Sequence, residues 1–399
     1  MRPAVPLRLT HFTATSALGR GVKPTRDALA QAVSGLAPCR FETVELDTYV
    51  GEVAGVDDVR LPAHLQSFDC RNNRLALLGL QQDGFEEAIH ACIDRYGAIR
   101  VGVFLGTSTS GILSTEMAFR HLAEHDGNLP PDFHYAGTHN SFSVVDFVRQ
   151  YLGLSGPAVT VCTACSSSAK VFGNAQRMIA LGLIDAAVVG GVDSLCLTTL
   201  YGFHSLQLTS AQPCRPFDAG RDGLSIGEAA AYALVERASG DDDGEVRLLG
   251  VGESSDAFHM SSPHPEGAGA RSAMHAALEA AGLTPADIDY INLHGTGTPS
   301  NDSAEDHAVS ALFGRDTPCS STKGATGHTL GAAGALEAVV SALALQNGLI
   351  PGGLNTLQQD PTLQANYQRS NQRRELRHVL SNSFGFGGAN CSLLFSRHA

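Results

Sequence analysis

The segment Val159-Thr-Val-Cys-Thr-Ala-Cys-Ser-Ser-Ser-Ala-Lys170 constrains the fold more than any other stretch of the chain. A β-branched run at 159–161 passes through a cluster of small residues into a long apolar-periodic segment, 169–183, which predicts a strand, a sharp turn and a helix. Cys165 falls at the turn. A thiol there meets the unpaired N–H groups and positive dipole end of a helix, which favour the thiolate, the nucleophilic form of cysteine. Ala164 and Ser166 to Ser168 leave room for a substrate. An arbitrary cysteine is more often buried and inert, but the small flanking residues and the downstream motifs favour a nucleophile here.

With 399 residues the chain is too long for one ordinary core, so two domains or a fused pair of similar halves is expected. Hydrophobic residues at 43%, charged residues at 17% and 43 glycines fit a tightly turned α/β protein with much buried helix. The opening Met-Arg-Pro-Ala-Val-Pro lacks a signal peptide's apolar core, and no uninterrupted apolar run reaches the length of a membrane span. Nine cysteines, odd in number and mostly scattered, predict reduced thiols and a cytoplasmic location. Cys162 and Cys165 form a C-x-x-C, with a redox pair as the lesser reading, and His121 and His125 an H-x-x-x-H. Neither has a second pair at zinc spacing, so no metal is expected. A net charge of −13 argues against nucleic acid as a partner and leaves room for a local basic patch that meets a small acidic protein.

Residues 7–12 read as an opening strand, and 76–93 as the most helical part of the first third, with Arg71 and Arg74 on an exposed lead-in. Residues 99–105 predict a buried strand closed by Gly106, followed by a small polar loop at 107–111. Residues 141–152 are amphipathic, and 186–191 form a further short strand. Such alternation indicates parallel sheets. A weak internal repeat aligns 227–237 with 387–397, each a glycine turn leading into a strand. Two halves are therefore expected, 1–243 with the nucleophile and 244–399, divided at the acidic Gly240-Asp-Asp-Asp-Gly-Glu245. In the second half, 246–251 and 290–293 predict strands and 270–281 a helix. A Gly/Ala-rich helix at 331–345 suits a buried central layer.

Three more stretches have the character of sites. His294-Gly-Thr-Gly-Thr-Pro299 directly follows a strand, and sites in α/β sheets gather at such ends. Ser320-Ser-Thr-Lys-Gly-Ala-Thr-Gly-His328 again lies between a strand and a helix and places Lys323 five residues before His328. A lone histidine is usually structural, but two, each in a Gly/Thr turn after a strand, are harder to call incidental. Ser381-Asn-Ser-Phe-Gly-Phe-Gly-Gly-Ala-Asn390 exposes backbone N–H groups that can point at a developing oxyanion.

With Arg215-Pro-Phe-Asp218, Arg221-Asp-Gly223 and Ser254-Ser-Asp-Ala-Phe-His-Met260 in the same order, these motifs resemble the β-ketoacyl-acyl carrier protein synthase I/II family over about residues 100–395. The resemblance implies the thiolase fold, a duplicated five-layered α-β-α-β-α arrangement of two mixed sheets around buried central helices, usually dimeric. It implies a 3-oxoacyl-[acyl-carrier-protein] synthase, an acyltransferase that loads an acyl chain on Cys165 and condenses it with malonyl-acyl carrier protein with loss of carbon dioxide. His294 and His328 then stabilise the enolate, and Lys323, held by an ion pair to Glu305, gives electrostatic support. Thr296 and Thr298 match positions that bind the phosphopantetheine arm, Phe384 and Phe386 match a mobile aromatic gate, and the N–H groups of Cys165 and Phe386 match an oxyanion hole. No resident cofactor is implied, because the substrates ride on the phosphopantetheine of acyl carrier protein. That carrier is the implied partner, beside a second like subunit in a homodimer or heterodimer.

The departures limit the carry-over. Lys170 stands where elongating enzymes often have histidine, and the pocket stretch 107–112 is more polar than a long alkyl chain favours. The loop 201–213 lacks the arginine that commonly meets carrier protein, leaving Arg71 and Arg74 as candidate contacts. A specialised polyene or polyketide chain is the expectation that follows. A degradative thiolase would pair Cys165 with a second reactive cysteine, and a non-catalytic chain-length factor would lack Cys165 altogether. The chain can still be the active half of a heterodimer with such a factor.

Overall fold

In the computed structural model, which describes residues 5–240 and 244–397, ten principal strands build the body of the chain. They are β1 (Leu7–Ser16), β2 (Val101–Gly106), β3 (Ala158–Val161), β4 (Ala186–Asp193), β5 (Ala229–Arg237), β6 (Val246–Ser255), β7 (Tyr290–Asn292), β8 (Pro318–Ser320), β9 (His378–Phe384) and β10 (Ala389–Arg397). The first five lie in the order β3-β2-β4-β5-β1 and the second five in the order β8-β7-β9-β10-β6. Strand senses repeat as well. β2 is parallel to β3 and β4, β5 antiparallel to β4 and β1; β7 is parallel to β8 and β9, β10 antiparallel to β9 and β6. The two sheets meet where β1 pairs with β6 through Leu7↔Leu248 and Arg8↔Arg247. The glycine-led segments aligned in the sequence become β5 and β10, which hold the same place in the two orders. The acidic divide lies outside the described residues at 241–243.

Seven helices matter for the site: α1 (Arg71–Leu80), α2 (Phe85–Tyr96), α3 (Ser143–Tyr151), α4 (Ser167–Ala180), α5 (Ala268–Ala281), α6 (Pro299–Phe313) and α7 (Ala333–Asn347). α1 to α3 cover the outer face of the first sheet and α5 and α6 that of the second, while α4 and α7 pack on one another between the sheets. The strands are accordingly apolar on both faces. Ala186 and Val188 of β4 face the outer cluster, and Ala187 and Val189 the central one. Helix α7 is apolar all round because protein surrounds it, and every residue from Ala333 to Leu345 is buried. By length and composition Leu330–Asn347 matches a membrane span, yet 89% of it lies inside the fold.

Two sequence expectations change. The helix expected at 76–93 is two helices, α1 and α2, parted at Asp83 and Gly84, both in the left-handed region (φ 58° and 70°). The Asp83 carboxylate pins this break to the first strand and the segment after it by accepting from Thr13 Oγ1 at 2.7 Å and Val22 N–H at 2.8 Å. Arg71, expected to be exposed, is buried. Its guanidinium pairs with Glu228 at 2.7 Å and Asp57 at 2.6 Å, so it is not a surface contact for a partner. Arg74 is likewise engaged, by Asp69 at 2.6 Å.

The two central helices approach so closely that a Cβ added at Gly334 would lie 2.7 Å from both the Ala169 nitrogen and its Cβ. Gly334→Ala is therefore expected to lower stability by about 1–3 kcal/mol through overpacking, read as a reduced urea midpoint at unchanged m-value.

Candidate active site

Strand β3 delivers the chain to Ala164, which adopts φ 52°, a left-handed conformation costly for a residue with a Cβ. Hydroxyls hold this elbow. Ser167 Oγ accepts from the Thr163 N–H at 2.9 Å and donates to the Ala164 carbonyl at 2.5 Å, and Ser108 Oγ reaches the same carbonyl at 3.2 Å. Cys165 follows, 5% exposed, one residue before the N-cap of α4. Burial pushes its thiol up to about 11, with Lys323 and the Phe386 N–H pulling the other way. The resting thiolate expected from the helix terminus is corrected to a thiol: desolvation outweighs the nearby positive potential.

Gly385 lies against the elbow, where a Cβ would come 2.7 Å from the Thr163 carbonyl oxygen and 3.2 Å from the Cys165 nitrogen. This close approach brings the Phe386 N–H to the Cys165 sulfur. His294 follows β7, and its N–H and that of Gly295 donate to the two oxygens of Glu305 at 2.8 and 2.7 Å. Across from it, the His328 ring lies 5.2 Å away at 83°. The Cys165 sulfur and a nitrogen of each imidazole fall within 4.8 Å of one another. Burial, followed by the charge on Lys323, holds both imidazoles well below the usual histidine range, so both are neutral near pH 7.

Lys323 is buried, and its ammonium contacts the Glu337 carboxylate, the His294 carbonyl and, at 3.4 Å, His294 Nδ1. The expected Lys323–Glu305 ion pair is thus replaced by Lys323–Glu337, because Glu305 turns toward backbone N–H groups. Burial pushes both carboxyls up to about 7. With an ammonium donating to Nδ1, the His294 proton sits on Nε2. A metal-bound histidine needs the opposite polarity, an acceptor behind the ring. The cluster suits N–H donation to an oxyanion rather than metal ligation.

Of the nine candidate residues, Cys165, His294, His328, Thr296, Thr298, Phe384 and Phe386 line one cavity, and Lys323 and Glu305 stand behind it. The Thr296 and Thr298 hydroxyls lie 2.9 Å apart on its wall. Phe384 lies 6.0 Å from the His294 ring, and Phe386 lies 5.5 Å from Phe203, an aromatic that the sequence reading missed. Two carboxylates were also missed. Asp302 accepts from the Thr296 and Gly297 N–H groups at 3.0 and 3.2 Å, and Asp193 gathers the hydroxyls of Thr107 and Thr109 at 2.7 Å each. Thr107, Thr109 and Ser110 of the polar stretch 107–112 are thus engaged with Asp193 and with loop carbonyls. All nine cysteines are free thiols.

Family models for the N-terminal and C-terminal domains of β-ketoacyl synthases match residues 79–240 and 246–357. The chain belongs to the β-ketoacyl synthase family. It is a condensing enzyme of the acyltransferase class with the thiolase fold. The 3-oxoacyl-[acyl-carrier-protein] synthase 2 of Coxiella burnetii is 32% identical over 98% of both chains. That of Rhizobium meliloti is 43% identical over a match spanning 61% of this chain and 62% of its own length. Among solved structures, the ketosynthase ApeO in complex with its chain length factor ApeC from Xenorhabdus doucetiae superposes with a TM-score of 0.90. It is 37% identical, covering 99% of this chain and 98% of that one.

A protonated resting Cys165 has a measurable consequence for this ketosynthase. Iodoacetamide modification, followed peptide by peptide because Cys162 is exposed, is expected to rise about tenfold per pH unit from pH 7 to 10 without a plateau. A plateau below pH 8 would mean that the thiolate is stabilised in the resting enzyme.

Proposed function

We propose that the chain catalyses decarboxylative condensation between an acyl group on Cys165 and malonyl-acyl carrier protein. The observation that carries this reading is the placement of Cys165 between a backbone N–H and two neutral imidazoles on one cavity wall. In the first half-reaction the sulfur attacks the acyl thioester, the bond to the carrier's phosphopantetheine sulfur breaks, and the Cys165 proton ends on that departing thiol. The oxyanion formed on the way is met by the N–H groups of Phe386 and Cys165. In the second, malonyl thioester loses carbon dioxide, and its carbonyl oxygen takes the developing negative charge between the N–H groups of His294 and His328. The carbanion attacks the Cys165 thioester, a carbon–carbon bond forms, and the sulfur leaves and regains a proton. Lys323 keeps the His294 proton on Nε2, where the enolate needs it. Thr296 and Thr298 are suited to receive the phosphopantetheine arm, and Phe384 and Phe386 to part the acyl side from the mouth. The free thiols suit a reducing cytoplasm, and the proposed halves remain 1–243 and 244–399.

A second reading, activity only beside a chain-length factor in a specialised pathway, is favoured by the likeness to ApeO, a ketosynthase in complex with such a factor. Strand β3 supports a second subunit. It is the outermost strand of its sheet, its residues are only half-buried, and its outer edge is open to another strand.

Condensation of malonyl-acyl carrier protein with a panel of saturated and polyene acyl carriers, by the chain alone and with candidate partner subunits, tests both readings. Cys165→Ala is expected to abolish condensation. His294→Ala or His328→Ala is expected to slow decarboxylation by about a hundredfold to a thousandfold while Cys165 still acquires acyl groups, seen by intact-mass measurement. Thioester cleavage by free coenzyme A without condensation would make the chain a thiolase.

A further inference from the structure

We propose that Arg71 and Glu228, neither of which lines the cavity, position His328 and so set the rate of decarboxylation without setting that of Cys165 acylation. This rests on the condensing reading above. His328 is gripped through its backbone. Its N–H donates to the Ser225 carbonyl at 2.7 Å, and its own carbonyl accepts from the Gly227 N–H at 3.0 Å. The next residue, Glu228, is wholly buried and makes the frame rigid. Its N–H donates to the Gly51 carbonyl at 2.9 Å, and its carboxylate accepts from the N–H groups of Val53 and Leu195, each at 2.9 Å. Arg71 supplies the counter-charge as a two-pronged donor, at 2.7 and 3.0 Å. The guanidinium lies 5.0 Å from the Phe41 ring centre, and its outer arm is held by the exposed carboxylate of Asp57 at 2.6 Å.

The elbow of Cys165 is held by a different set of groups. Ser167 and Ser108 fix it, and the carboxylate behind them is Asp193, which takes the Ser108 N–H at 2.8 Å. No bond of this set involves Arg71 or Glu228, whose one approach to it is the Leu195 N–H, two residues beyond Asp193. A loosened Arg71–Glu228 pair therefore lets the Ser225–Gly227 segment, and His328 with it, drift from the enolate oxygen while the nucleophile keeps its geometry. A displacement of an ångström in a catalytic group is enough to cost roughly a hundredfold in rate.

The experiment uses the full chain, with its partner subunit if activity requires one. Arg71→Lys keeps the charge but loses the two-pronged geometry, Glu228→Gln keeps the shape but loses the charge, and Asp57→Asn touches only the exposed outer arm. Two rates are read for each, malonyl-acyl carrier protein decarboxylation and iodoacetamide modification of Cys165. The two buried variants are expected to slow decarboxylation roughly tenfold to a hundredfold at unchanged KM, with Cys165 modification kept within about twofold. Asp57→Asn, at an exposed carboxylate, is expected to show a smaller loss of the same selective kind. Parallel loss of both rates in a folded variant, or an unaltered decarboxylation rate in Asp57→Asn, overturns the assignment. Absence of decarboxylation in the wild-type chain overturns the condensing reading instead.

Discussion

A buried ammonium orders the chemistry of this ketosynthase. Lys323 lies in the interior with Glu337 as its counter-ion, and the same charge is shared with the carbonyl and Nδ1 of His294. Breaking such a pair by removing one partner typically costs about 3–5 kcal/mol, because the remaining charge is left desolvated. The pair therefore fixes the distance between α7, which carries Glu337, and the end of β7, which carries His294. Helix α7 also meets the nucleophile's helix: the Ala335 N–H donates to Ser168 Oγ at 2.9 Å, three residues beyond Cys165. One buried helix thus spaces the sulfur from the imidazole, with small residues on one side and a carboxylate on the other.

The electrostatics of the site follow from where charge is permitted. Burial, followed by the cation fixed behind His294, keeps the imidazoles neutral. The same burial that keeps them neutral keeps Cys165 a thiol. In the proposed mechanism the sulfur then waits for an acyl thioester, when the proton has a departing thiol to go to. The protonated thiol and the neutral imidazoles have one physical cause, exclusion of water from the cavity wall.

Most of the fold and most of the site were legible in the sequence because both depend on local pattern. Apolar strands alternating with periodic helices placed β4, α4 and α7 to within two or three residues at each end, small residues marked the turn that carries Cys165, and motif glycines marked the loops that carry His294 and His328. The misses concern partners of polar groups. Glu305, eleven residues after His294, looked like the counter-ion of Lys323, but its place on α6 turns it to the backbone N–H groups of His294 and Gly295. Glu337, a lone acid in an otherwise apolar helix, was the signal available for the true partner. Arg71 looked exposed because the sequence gives no sign of Glu228, which lies far along the chain and arrives only when α1 packs on the first sheet. The bonds of the Thr107 and Thr109 hydroxyls are hidden for the same reason, since Asp193 claims them from another strand.

The repeated strand order explains why the site draws on both halves of the chain. Cys165 follows β3, and in the second sheet the loop after the equivalent strand, β8, carries Lys323 and His328. The loop after β2 carries Ser108, which braces the Cys165 elbow, and its counterpart after β7 carries His294. Asp193 closes β4 as Phe384 closes β9, with Gly385 and Phe386 just beyond. Each of these groups stands at the carboxyl end of a strand in a parallel pair, where α/β sheets place ligands. Packing the two sheets around shared central helices brings both sets of loops to one cavity. Cys165 from the loops of one sheet and the imidazoles from those of the other then need no further device to face each other. What remains for individual side chains is to hold the loops at hydrogen-bond precision, which is the work of the buried acids Asp193, Glu228, Asp302, Glu305 and Glu337.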